Sequence, residues 1–112
     1  MPKLVVLISK RPDVSREDFI AYYEANHAPL AKRLLPMIGR YTRSFLPEGH
    51  GADFDVVTEI WFRDETAYAE FRSRMADPVI IAAIRADEAN FLLSDRVRSW
   101  VVHETGDVPG TV

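Results

Sequence analysis

Both faces of the strand-forming segments are apolar, and this limits the architectures open to the chain more than any other feature. Side chains along a strand point alternately to opposite faces. In Lys3–Lys10, Leu4, Val6 and Ile8 form one set and Val5 and Leu7 the other. Phe54–Phe62 repeats the pattern, with Phe54, Val56, Ile60 and Phe62 on one parity and Val57 and Trp61 on the other. Each such side chain gains roughly 1.5–3 kcal/mol on burial, so neither face of a sheet built from these strands is stable in water. The chain's own helices can cover one face. A chain of 112 residues organises a single hydrophobic core. Its last segment, Thr105–Val112, is too short and too rich in glycine and proline to cover the other face. A second copy of the chain is the simplest cover, and a homodimer through the sheet face is expected.

The rest of the chain supplies the covering helices. Arg11-Pro12-Asp13 closes the first strand as a turn. Ser15 then caps a helix, its hydroxyl placed for the N–H of Asp18, with Glu17 and Asp18 where the helix dipole favours acids. Phe19, Tyr22, Tyr23, His27 and Leu30 recur at helical spacing and mark its buried stripe. Pro29 lacks an N–H and disfavours helical geometry at Ala28, so a bend is expected near His27. Arg40–Leu46 reads as a second strand and Phe54–Phe62 as a third. Asp64 caps a second helix through Met75, Pro78 opens a further helical segment carrying Ile80, Ile81 and Ile84, and Arg96–Glu104 is a fourth strand. The predicted fold class is α+β: a ferredoxin-like βαββαβ domain with an antiparallel four-stranded sheet over residues 1–105 and a tail over 106–112. A pocket is expected between one sheet face and the helices.

Several classes of function drop out on composition. A formal net charge of −3, with acids and bases interspersed, offers no basic stripe for nucleic acid. The longest apolar run, Leu4–Ile8, is far short of the roughly 20 residues of a membrane span, so no membrane partner is expected. Met1-Pro2-Lys3 leads directly into this run without a longer signal core, which points to the cytoplasm. The absence of cysteine removes disulfides, thiolate nucleophiles and Cys-ligated metals. No histidine has neighbours at a metal-ligand spacing; a site joining His27, His103 and Glu59 would need long-range convergence. No metal and no cofactor is expected.

The run Tyr22-Tyr23-Glu24-Ala25-Asn26-His27-Ala28-Pro29-Leu30, after a strand ending in Lys10-Arg11-Pro12-Asp13 and Ser15, resembles the EthD family of the dimeric α+β barrel superfamily. That family is similar in carrying a helical tyrosine or tryptophan ahead of a His-x-Pro-Leu motif. It also has a carboxy-terminal helix that leads through Phe-Leu and a basic residue into the last strand, here Glu88–Arg96. The resemblance spans residues 1 to about 104 and implies a dimeric barrel. Relatives of the family include 4-methylmuconolactone methylisomerase, anthrone-type dehydratases and, more distantly, polyketide cyclases. By resemblance this implies cofactor-free acid/base chemistry, an analogy carried by the fold.

His27 is the first candidate for chemistry, because an imidazole at a helix bend facing a partly apolar pocket suits proton transfer. A histidine in that position also serves simply to fix the bend. Tyr23, four residues before His27, is the better-placed tyrosine to share its pocket and is taken as its catalytic partner. Tyr22, Glu59 and Trp61 are candidates for substrate binding: Tyr22 as a hydrogen-bonding aromatic, Glu59 as a carboxylate on the parity of Trp61, and Trp61 as a wall. Each has a structural alternative, in the core, in a surface salt bridge or in a dimer interface. His50 and His103 are expected to face solvent.

The leading expectation is a cofactor-independent isomerase, cyclase or dehydratase acting on a small aromatic, lactone or polyketide-like compound, with His27 as general acid/base. The alternative is a non-catalytic dimeric ligand-binding or accessory protein of a catabolic, ether-degradation-type pathway. A second alternative is a cofactor-free or haem-type monooxygenase. The haem-degrading relatives in the superfamily carry an asparagine on the first strand, and Lys3–Lys10 has none.

Overall fold

The computed structural model describes residues 1–107. The elements follow in the order β1 (Lys3–Ile8), α1 (Arg16–Tyr22), a π turn (Tyr23–His27), α2 (Ala28–Leu34), β2 (Tyr41–Phe45), β3 (Val56–Trp61), α3 (Glu65–Met75), α4 (Pro78–Glu88), a 3-10 turn (Ser94–Arg96) and β4 (Arg98–Val102). The sheet has the order β2-β3-β1-β4 and every neighbouring pair is antiparallel, which is the ferredoxin-like arrangement. The tail expected over 106–112 lies outside the described residues from residue 108 onward. No helix among the described residues is long and apolar enough to cross a membrane.

The helix starts obey local chemistry. The Ser15 hydroxyl accepts the Asp18 N–H at 3.0 Å, Asp64 accepts that of Ala67 at 2.8 Å, and Asp77 accepts that of Val79 at 2.9 Å with Pro78 just inside α4. Each satisfies a donor that the first helical turn would leave orphaned.

Strand parity divides the side chains as the alternation predicts. Leu4, Val6 and Ile8 of β1 face the helices with Val56 and Ile60 of β3 and Tyr41 and Phe45 of β2. One core centres on Ile8, Phe19, Tyr23, Val56 and Phe91, and a second on Ile60, Phe62 and Ala67 beneath Tyr68 and Phe71.

No helix among the described residues covers the opposite face. On it, register sets Leu7 beside Val57 and Val5 beside both Glu59 and Trp100. Val5, Leu7 and Val57 remain partly open and Trp100 is 50% exposed. Polar groups close one end of this face. The Lys3 ammonium lies 2.6 Å from carboxylate oxygens of both Glu59 and Glu104, and the Trp61 indole N–H donates to Glu104 at 2.7 Å. Burial alone would lower the Lys3 pKa, but its bonds to Glu104 and Glu59 outweigh this and hold it above the ordinary value.

Candidate active site

The site begins with the strain at Pro29. In a regular helix the proline ring would strike the carbonyl four residues back and leave it without a donor. The chain accommodates this with one wide turn: the Ala28 N–H donates to the Tyr23 carbonyl, five residues back, while His27 and Ala28 keep right-handed helical dihedrals. The expected bend is thus taken up by a π turn, a feature that recurs at functional sites.

The wide turn decides which side chains meet. Residues five apart in an α-helix point about 140° away from each other; here Tyr22 and His27, five apart, reach the same carboxylate. His27 Nδ1 lies 2.9 Å from Asp87 Oδ2, and the Tyr22 hydroxyl donates to Asp87 Oδ1 at 2.7 Å. The Asn90 amide in turn donates to the Tyr22 oxygen at 2.9 Å. An ionised carboxylate only accepts, so in the neutral imidazole this contact puts the proton on Nδ1 and leaves Nε2 as the basic nitrogen. His27 is buried at 6% exposure, with its ring against Phe91 (centroids 5.1 Å) and edge-on to Tyr23 (5.3 Å).

Nε2 has no hydrogen-bond partner among the described residues, and no fully buried side-chain nitrogen or oxygen among them is left unpartnered. It is therefore not sealed, and His27 lines a cavity of about 220 Å³ between sheet and helices. The walls are mainly aliphatic, with Leu4, Val6, Ile60 and Ile84 prominent. Polar residues enter the lining at a few points: Tyr23, Tyr41, Thr58 and Ser99, with Arg85 and Glu88. The Tyr23 hydroxyl lies 2.7 Å from Thr58 Oγ1 and 3.3 Å from the Tyr41 hydroxyl. Burial raises the pKa of both tyrosines, for Tyr41 with the neighbouring Tyr23 as a further cause, so both stay protonated at neutral pH. Glu24 of the π turn grips Arg43 of β2 through two bonds of 2.7 and 2.8 Å, fixing this wall against the sheet.

Of the residues singled out from sequence, His27 and Tyr23 meet in this cavity. Tyr22 does not line it; its hydroxyl is committed to Asp87 and Asn90, which corrects its expected role as a substrate contact to one of support. Glu59 and Trp61 fall on the opposite face of the sheet, engaged with Lys3 and Glu104, so they share no pocket with His27. The register makes this unavoidable, since in β3 the cavity-facing parity belongs to Val56, Thr58 and Ile60. Convergence of His27, His103 and Glu59 is ruled out by the same parity. His103 is exposed, whereas His50 is not in open solvent: its Nδ1 accepts the Ala52 N–H at 2.8 Å and its Nε2 lies 3.0 Å from Asp55.

Sequence reasoning missed Asp87, Asn90, Tyr41 and Thr58. Asp87 left one trace: it sits in the last turn of α4, where the helix dipole disfavours a carboxylate, a placement that calls for a partner elsewhere.

Residues 11–95 match the family described as EthD domain. Among solved structures, HapK from Hahella chejuensis is similar over 98% of this chain and 100% of its own, at 17% identity and a TM-score of 0.65. An ethyl tert-butyl ether degradation (EthD) family protein from Bacillus halodurans matches 94% of this chain and 100% of its own, at 18% identity and a TM-score of 0.64. A dimeric protein of ferredoxin-like fold from Bacteroides fragilis matches over 92% and 95% of the two chains, at 14% identity and a TM-score of 0.59. At these identities the likeness establishes the fold. Among curated proteins none matches the chain at a significant level.

Proposed function

Because the chain belongs to the EthD family, we propose that it is a cofactor-independent isomerase, cyclase or dehydratase in which His27 moves a proton on a small ring compound. One observation carries this reading: His27 Nδ1 is engaged by Asp87, its Nε2 has no partner among the described residues, and the residue lines a mainly apolar cavity. A lone histidine that merely braced a bend would need neither a carboxylate partner nor an unoccupied nitrogen. The dyad instead matches the logic of a general base held in one tautomer by a second group. Tyr23 is the wall of the site beside the base, its hydroxyl kept protonated by burial and engaged with Thr58 and Tyr41.

The cavity narrows the substrate. A dry cavity of about 150 Å³ accepts benzene, so about 220 Å³ suits one substituted ring better than a fused polycycle. This favours the aromatic and lactone members of the expected range. A placed general base contributes about 10²–10⁴-fold, enough for a carbon or hydroxyl already activated by a carbonyl or an aromatic ring.

The active form in this proposal is a homodimer joined through the open face of the sheet, where Val5, Leu7, Val57 and Trp100 form the uncovered apolar surface. The helix-side cavity then remains free for ligand in each protomer.

The test is to follow the His27 ring resonances by NMR while monocyclic aromatics and lactones are added, and to assay turnover of any compound that shifts them. Turnover that falls by about 10²-fold or more in His27→Gln is the expected result. Saturable binding with no turnover would move the chain to the ligand-carrying alternative, and no response from any compound would remove the proton-transfer reading.

A further inference from the structure

Three of the four hydroxyls in the cavity wall, those of Tyr23, Tyr41 and Thr58, hold more protons than they can use among themselves, while the fourth, Ser99, stands exposed on β4. Tyr23, Tyr41 and Thr58 each bring one O–H donor. They form a chain of only two contacts, Thr58 to Tyr23 at 2.7 Å and Tyr23 to Tyr41 at 3.3 Å, and none of the three hydroxyls has another partner among the described residues. Two contacts consume at most two protons, so at least one O–H remains to be donated.

Its place follows from the two ends of the chain. Thr58 is 2% exposed and sits in the short contact. Tyr41 is only partly buried, lines the cavity, and its contact is longer than the usual 2.5–3.0 Å of an O–H···O bond. With Thr58 donating to Tyr23 and Tyr23 donating to Tyr41, the spare proton belongs to the Tyr41 hydroxyl, the end free to rotate.

We propose that the Tyr41 hydroxyl, supported by Tyr23 and Thr58, is the recognition point for a carbonyl oxygen, and that the ligand class is therefore enolisable cyclic ketones and lactones. This inference rests on His27 being the base and specifies what that base acts upon. The cavity offers a basic nitrogen on the π turn and a neutral donor on β2; apart from Ser99, Arg85 and Glu88, its remaining walls are largely apolar. A ring carbonyl with a neighbouring C–H fits that pairing. His27 Nε2 takes the α-proton, the C–H electron pair becomes the carbon–carbon π bond of an enolate, and the carbonyl π pair moves to the oxygen that Tyr41 binds. Returning a proton to carbon completes the exchange with no oxidant or other co-reactant. The donor is stronger toward the enolate than toward the ketone, which is what a contribution to rate requires.

The experiment uses cyclohexanone, labelled with ¹³C at the carbonyl, in two readouts on the full chain. The first is the infrared carbonyl stretch of the bound probe, which moves to lower wavenumber on accepting a hydrogen bond. The second is α-hydrogen exchange with deuterium oxide, read by NMR. Wild type is expected to show both the shifted stretch and accelerated exchange. Tyr41→Phe should lose the shift and slow the exchange by about 10²-fold, while His27→Gln should abolish the acceleration and keep the shift.

If Tyr41→Phe retains the shift, the carbonyl assignment to Tyr41 is wrong, although His27 stands as base if the exchange is still accelerated. A shifted stretch with no acceleration in wild type would sink the base and leave the carbonyl site. Absence of cyclohexanone binding, with the fold intact by circular dichroism, would overturn the ligand class. Thr58→Val serves as the second variant, since it shortens the relay without touching the donor and should weaken the shift only partly.

Discussion

Replacing Asp87 tests the placement of the proton on His27 more directly than any activity measurement. The 2.9 Å contact between His27 Nδ1 and Asp87 Oδ2 is a hydrogen bond to a charged group in a largely covered setting, and such bonds contribute about 1.5–3 kcal/mol. That energy acts on one tautomer only, so it shifts the Nδ1–H to Nε2–H ratio by about 10- to 150-fold toward a free Nε2. In Asp87→Asn the amide can satisfy every neighbour only by keeping its oxygen toward the Tyr22 hydroxyl and turning its NH₂ to His27 Nδ1. The proton must then move to Nε2, which disarms the base. Asp87→Ala removes the preference without inverting it. Asp87→Asn keeps these groups paired, and Asp87→Ala leaves them unpaired at a cost of about 1–3 kcal/mol, below the roughly 6–17 kcal/mol typical for 112 residues, so both variants should fold. Long-range ¹H–¹⁵N correlation on the neutral ring distinguishes the protonated from the bare nitrogen. The expected sequence is Nδ1–H in wild type, a mixture in Asp87→Ala and Nε2–H in Asp87→Asn, with proton-transfer activity falling in that order. A wild-type ring carrying its proton on Nε2, or an Asp87→Asn ring still carrying it on Nδ1, would refute the reasoning.

Two further outcomes are expected. Trp100 is half exposed on the uncovered sheet face; an aromatic of its size offers roughly 120 Å² to a partner, about 3 kcal/mol per protomer at 25 cal/mol per Å². Trp100→Glu, counted twice across a two-fold interface, should weaken the dimer by several orders of magnitude in sedimentation velocity, and a change of less than tenfold would argue against an interface on this face. The second outcome concerns pH. Lys3 and then the Trp61 indole hold the Glu104 carboxylate below its ordinary range. A depressed carboxylate pKa stabilises above the unfolded value and loses that contribution only as pH falls through the folded value. The Trp61 environment, followed by the fluorescence difference between wild type and Trp61→Phe, should therefore titrate at a midpoint below the ordinary glutamate value. A midpoint at or above that value would mean the contact is not held in solution.

The strand parities were legible because they depend on a period of two written locally. Leu4, Val6 and Ile8 could face nothing but the helices once Val56 and Ile60 joined them. The caps at Ser15 and Asp64 were legible for the same reason, each being a contact across three residues. The partner of His27 was not. Its carboxylate lies sixty positions away on α4 and meets it only after two helices pack on the same sheet face. Helical spacing pointed to Tyr23 rather than Tyr22, because it presumed 3.6 residues per turn where Pro29 forces a wider one. Glu59 shows the reverse limit: its parity with Trp61 was readable, but the identity of that face was fixed only by which side the helices covered. Sequence by itself thus determined the elements, their alternation and the presence of a histidine at a strained helix turn, all products of nearest-neighbour sterics and burial. Only the tertiary structure decided that this histidine pairs with Asp87 and lines one cavity with Tyr41 of β2 and Thr58 of β3, because those placements join segments whose proximity no local period encodes.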